Sequence, residues 1–190
     1  MKTLKIIGLL VLMMNFSSCD FLSRDDEPEF VSYYFYLSFQ DVSGNDLVKG
    51  IELNASSGAV KDSLYTLDII VSEPCKNWDN KIYNAPARPG FEPDVNYPKL
   101  GMVTNNGYCY LTSAFYLPVN DCPEMKILTY KLKCPYVFGD DEVHEFVTYW
   151  DIPKDKINHA AKCYHIAFEG KEITPTTIHE QNSSATIILK

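Results

Sequence analysis

The sequence predicts an all-β fold: an antiparallel β-sandwich with one long irregular loop. Three observations lead there. Short segments rich in Val, Ile, Thr, Tyr and Phe recur along most of the chain, and such residues suit a pleated, half-buried surface. Turns built from Gly, Asn and Asp separate them. No apolar run of helical period is longer than a turn or two, so sheets must do the packing.

The elements follow in chain order. Residues 30–39 (Phe-Val-Ser-Tyr-Tyr-Phe-Tyr-Leu-Ser-Phe) open the fold as a strand. Asp41 to Asp46 turn the chain, and Leu47 to Leu53 read as the returning strand. Tyr65 to Ser72 alternates as another. Residues 73–99 hold Pro74, Pro86, Pro89, Pro93 and Pro98 among Asn and Asp, and read as the long loop. Leu100 to Thr104 and Tyr108 to Phe115 flank Asn105-Asn106-Gly107. Asn-Gly favours the positive φ that a tight hairpin turn needs, so this is a hairpin. Glu124 to Cys134 is a strand placing Ile127, Thr129, Lys131 and Lys133 opposite Leu128, Tyr130, Leu132 and Cys134. A turn at Phe138 to Asp141 leads to strands at Val143 to Trp150, Lys162 to Phe168 and Ala185 to Leu189. Lys154 to Ala161 reads as one or two helical turns.

The first 29 residues stand apart from this pattern. Lys2 and Lys5 precede an apolar run from Ile6 to Met14, followed by Asn15-Phe16-Ser17-Ser18-Cys19. A basic start, a short apolar core and small residues are the three parts of a secretory signal. The run is shorter than the ~20 apolar residues of a membrane-spanning helix. Small residues ahead of a cysteine suit the lipoprotein signal peptidase, although Phe16 stands where leucine is common. The expected organisation is therefore a lipoprotein signal peptide over 1–18, a lipidated Cys19 with an acidic tether over 19–29, and a single β-sandwich domain over 30–190. Asp20 to Glu29, acidic and without period, has the composition of a flexible tether.

Charge narrows the partners. The chain has 17 Lys+Arg against 25 Asp+Glu, a formal charge of −8. Removing residues 1–18 takes away Lys2 and Lys5 and no acid, which leaves 15 basic against 25 acidic residues, or −10. Such a surface repels phosphate backbones, and no cluster of Lys and Arg offsets it, so nucleic acid is not an expected partner. With 46% hydrophobic residues, 13 Tyr and 10 Phe, the remainder is a folded domain with a real core.

Of six cysteines, Cys19 is taken by lipid. Cys75, Cys109, Cys122, Cys134 and Cys163 remain, an odd set that allows at most two disulfides. Cys134 and Cys163 flank two successive strands and are the first candidates for a bridge. No Cys or His spacing suits structural zinc.

Two stretches carry a resemblance. Ser23-Arg24-Asp25-Asp26-Glu27 resembles the acidic export signal found just after the lipidated cysteine in surface-exposed lipoproteins of the Bacteroidetes. Phe39 to Leu47, with Leu128 to Pro135 and Val137 to Asp140, resembles small Bacteroidetes surface lipoproteins without assigned chemistry. The resemblance implies an immunoglobulin-like or transthyretin-like sandwich on the outer membrane, facing the cell exterior, and carries no catalytic residues. Asp62-Ser63-Leu64 resembles the short O-glycosylation acceptor of exported proteins in that group, which marks Ser63.

Chemistry-bearing residues are few. Gly139 to Glu145 is the densest group of metal-ligand types, and Asp140, Glu142 and His144 are its candidates for a divalent cation, without the spacing of a Ca²⁺ loop. The same acids, Asp140 and Glu142, are the candidates for carboxylate-dependent hydrolysis. Nucleophile elbows, phosphate loops and HExxH are missing, and no cofactor is implied. Aromatics are the larger resource: Trp78, Tyr83, Phe91 and Tyr97 lie in the long loop, where flat rings with polar handles suit a sugar or a protein partner. The expectation is a non-enzymatic binding module for a glycan or protein. The alternatives are an assembly subunit of a fimbria or outer-membrane transport complex, using the terminal strand Ala185–Leu189, and a hydrolase.

Overall fold

The computed structural model describes residues 30–72, 83–84, 98–118, 127–152, 160–178 and 182–190. Cys19, the tether, Cys75 and Cys122 lie outside them. The described chain is all-β: strands β1 (Phe30–Gln40), β2 (Thr66–Val71), β3 (Tyr83–Asn84), β4 (Gly101–Asn105), β5 (Tyr108–Pro118), β6 (Ile127–Lys133), β7 (His144–Asp151), β8 (Ala160–Phe168), β9 (Lys171–Ile173), β10 (Thr176–Ile178) and β11 (Asn182–Ile188). Among the described residues, helix is confined to a 3₁₀ turn at Asp62–Leu64 and the four-residue α1 (Pro135–Phe138).

Local chemistry explains most of these elements. The β4–β5 hairpin turns on Asn106 (φ 50°) and Gly107 (φ 83°), both in the left-handed region that Asn and Gly tolerate best. In β6 the expected alternation holds: Leu128, Tyr130 and Leu132 are buried, while Ile127, Thr129, Lys131 and Lys133 are half-buried on the other face. Pro135 starts α1 without wasting a donor, and Gly139 (φ 77°) ends it by donating its N–H to the Pro135 carbonyl at 2.9 Å.

Leu47–Leu53 is not a strand. The Asp46 carboxylate accepts hydrogen bonds from the amides of Val48 (2.9 Å), Lys49 (3.2 Å) and Cys109 (2.7 Å), and this bends the chain into a turn instead of a ladder. Val48 and Ile51 still reach the core. Ala160 and Ala161 belong to β8, not to a helical turn. Residues 83–84 pair with β5, so the expected long loop is joined to the sheet at that point.

The sheet is mixed, which corrects the expectation of purely antiparallel pairing. Its path runs β10-β11-β1-β8-β7-β6-β2, with β9 beside β8. β5 lies on the other edge of β1 and pairs in turn with β3 and β4. β11 is parallel to β1 from Phe35–Ser183 to Gln40–Ile188, and β8 is parallel to β1 at Ser32–Ala160 and Tyr33–Ala161. Alternation in a sequence tells which face a side chain takes; the direction of the neighbouring strand leaves no such mark. The terminal strand, expected to be available to another subunit, is paired by β1 and β10.

The core is aromatic. Tyr33, Phe35 and Phe39 of β1 and Phe115 of β5 meet Tyr130, Phe146 and Trp150 of β6 and β7. Tyr33 and Phe115 stack with ring centroids 5.2 Å apart, and Trp150 meets Tyr33 edge-on at 5.1 Å. Burial alone pushes the Tyr33 phenol upward, so it stays protonated.

The expected Cys134–Cys163 bridge is not made; both are free thiols, as is Cys109. Strand register explains why. Leu132, just before Cys134, pairs with His144 at the start of β7, whereas Cys163 pairs with Trp150 near its end. Six residues of strand span ~20 Å, against the ~7 Å between Cα atoms that a disulfide tolerates. Burial pushes the Cys163 thiol up to about 12.

Candidate functional site

The ladder between β7 and β8 is regular except at one point. Phe146 to Tyr149 pair with Phe168 to His165 in step, but Trp150 pairs with Cys163, so Tyr164 is left without a partner residue in β7. This β-bulge changes the parity of β8: Ala161 and Cys163 are buried before it, Ile166 and Phe168 after it. Trp150 anchors the inner side. It is fully buried, and its Nε1–H donates to Thr148 Oγ1 at 2.7 Å, while Thr148 donates to the Leu128 carbonyl at 2.9 Å.

On the outer side the bulge gathers three rings. Tyr149 and His165 lie with centroids 5.1 Å apart, and Tyr149 and Tyr164 with centroids 6.4 Å apart, each pair tilted by nearly 50°. Tyr164 is 49% exposed. His165 Nε2 is paired with the Glu172 carboxylate from β9. The register places Ile127 beside Tyr149, and Ile70, Thr129, Val147 and Ala167 in the next row. Farther along the same face, Lys131 meets Glu145 at 2.9 Å, and that hydrogen bond raises the Lys131 ammonium above its ordinary value. Lys133 meets Asp141 at 2.9 Å. One end of the face is aromatic and the other carries paired charges.

None of Tyr149, Tyr164, His165 or Glu172 stands out in the sequence as a site residue. A signal was present: the apolar positions of 161–168 change from odd to even across Tyr164-His165, as a bulge requires. Among the residues that did stand out, Trp78, Phe91 and Tyr97 lie outside the described residues, and Tyr83 is placed by its backbone, opposite Tyr116. Ser63 sits exposed in the 3₁₀ turn, beside a shallow cleft lined by Asp62, Tyr65, Asp68 and Lys99.

The proposed metal trio does not form. His144 Nε2 lies 3.1 Å from Asp140 Oδ1 and its Nδ1 lies 3.2 Å from Glu169 Oε1, so both ring nitrogens are engaged. Glu142 enters through its backbone, donating its N–H to Asp140 Oδ1 at 3.0 Å. Among the described residues no three His, Cys, Asp or Glu side chains are arranged to hold a metal ion. His144 also stacks on Phe138, with centroids 3.9 Å apart. Hydrogen bonds, first from His144 and then from the Glu142 amide, hold the Asp140 carboxyl below its ordinary range. That suits a clamp between α1, β7 and the β8–β9 turn better than a proton donor. Compared with protein families, curated proteins and solved structures, the chain matches none.

Proposed function

We propose that this chain is a cell-surface lipoprotein whose domain is a non-enzymatic binding module for a glycan or protein partner. Its signal peptide occupies 1–18, lipid on Cys19 anchors it in the outer membrane, and residues 20–29 tether a sandwich of immunoglobulin-like or transthyretin-like type. Each buried methylene of the lipid contributes ~0.8 kcal/mol, and several chains act together.

The observation that carries the binding role is the cluster at the bulge, in which exposed Tyr164 stands beside half-buried Tyr149 and His165. Tyrosine rings offer apolar faces to sugar C–H groups or to a partner's side chains, and their hydroxyls remain free to hydrogen-bond. The His165–Glu172 pair places a carboxylate acceptor at the rim. These rings stand on strands rather than on a loop, so little ordering cost opposes binding.

The test compares the wild-type chain with Tyr149→Ala/Tyr164→Ala on a glycan array and in pull-downs from native outer membrane. Loss of signal in a folded double variant is the expected result; an unchanged signal would remove this face as the site. For the anchor, a labelled fatty acid should be incorporated by the wild type and not by Cys19→Ala.

The assembly reading rests on another edge. Among the described residues β2 pairs only with β6, and Ile70 is 40% exposed there. Open edges of this kind accept a further strand. A chain that stays monomeric after crosslinking in the outer membrane would count against it.

A further inference from the structure

The inner face of β5 changes character at one position. Leu111, Phe115 and Leu117 are buried and apolar, but Ser113, between the first two, is equally buried at 5% exposure. It pairs with Phe35 of β1, whose ring lies 5.4 Å from that of Tyr130 on β6. A serine among large side chains leaves room. A cavity of about 20 Å³ lies there, lined by Ser113 and Tyr130 together with Phe35, Leu37, Leu111 and Leu132.

Two of the lining groups are polar, and both want partners. Ser113 Oγ and Tyr130 Oη are buried side-chain oxygens without a hydrogen bond among the described residues. Each gives up a bond that it makes to water in the unfolded chain, and buried polar groups rarely persist that way. The space is sufficient for one water molecule, whose centre needs roughly 10–15 Å³.

We infer that this cavity is a hydration site, in which one water molecule is held between Ser113 and Tyr130 within an otherwise apolar lining. Tyr130 donates its O–H to the water, and the water donates to Ser113 Oγ. Desolvation raises the Tyr130 phenol well above its ordinary value, so at neutral pH it keeps its proton and can donate. The site is independent of the exposed face of β7 and β8.

Water-to-protein NMR cross-relaxation on the folded chain, run beside a xenon titration, tests this. The expected result is a long-lived water signal to the Ser113 β protons and the Tyr130 ring in the wild type. That signal is lost in Ser113→Ala/Tyr130→Phe, whose dry cavity gains xenon-induced shifts at the Leu111 and Leu132 methyls. A wild-type cavity with no water signal that takes up xenon would overturn the inference. Should the double variant fail to fold, a high-resolution crystal structure of the wild type decides. Density within hydrogen-bond distance of both oxygens supports the site, and density at neither overturns it.

Discussion

His144 and His165 lie on neighbouring strands and both meet carboxylates, yet their surroundings set them to different work. His144 has both nitrogens engaged, by Asp140 and Glu169, and its ring lies flat on Phe138, leaving its side chain 14% exposed. His165 has one carboxylate partner, Glu172, and its side chain, 34% exposed, stands among Tyr149 and Tyr164 on the open face. The first closes a turn onto the sheet; the second leaves part of its ring on the open face, with one nitrogen held by Glu172. Residue type does not decide the role. What decides it is how many of the ring's bonding positions the fold has already used.

The change expected to break this contrast most completely is Trp150→Ala. Trp150 fills the inner side of the bulge that presents Tyr164 and His165, and emptying its site should cost about 3–5 kcal/mol. Chemical denaturation should show that loss, and the outer face should disorder with it.

His144→Ala comes next. Losing the stack on Phe138 should cost about 1 kcal/mol, read as a lower denaturation midpoint, with the outer face left intact.

A smaller, pH-dependent effect is expected for Asp140→Asn. Because hydrogen bonds depress the Asp140 carboxyl, its contribution is fully present above the unfolded carboxylate range, near pH 4. It is lost as pH falls through the lower folded value. The wild type should therefore be more stable than the variant at neutral pH, and the gap should close in acid. A gap independent of pH would show that ionised Asp140 is not what closes the turn.

The smallest stability effect belongs to the outer face. Tyr164→Ala or His165→Ala should shift unfolding by no more than ~0.5 kcal/mol, as for other surface positions. If either cost as much as His144→Ala, the ring would be a packing element.

How much of this was legible in the sequence depends on the range of the interactions involved. Strand positions were legible where one short segment carried the whole signal. The face assignment of β6 from Ile127 to Cys134 and the Asn106-Gly107 turn are two such cases. Leu47 to Leu53 misled because its fate is set by a carboxylate outside it, Asp46, which also binds Cys109 across the fold. The parallel pairing of β1 with β11 joins opposite ends of the described chain, and no local pattern encodes it. The site was the least legible part. Asp140 and His144 stood out by composition and proved to satisfy each other. Tyr149, Tyr164 and His165 meet only because a single extra residue in β8 shifts the register.

The most direct measurement is partner binding by His165→Ala and His144→Ala side by side, using whatever ligand the wild type captures from native outer membrane or a glycan array. The account predicts that His165→Ala loses binding at near wild-type stability, whereas His144→Ala loses stability and keeps binding. The reverse pattern, or equal binding by both variants, would contradict it.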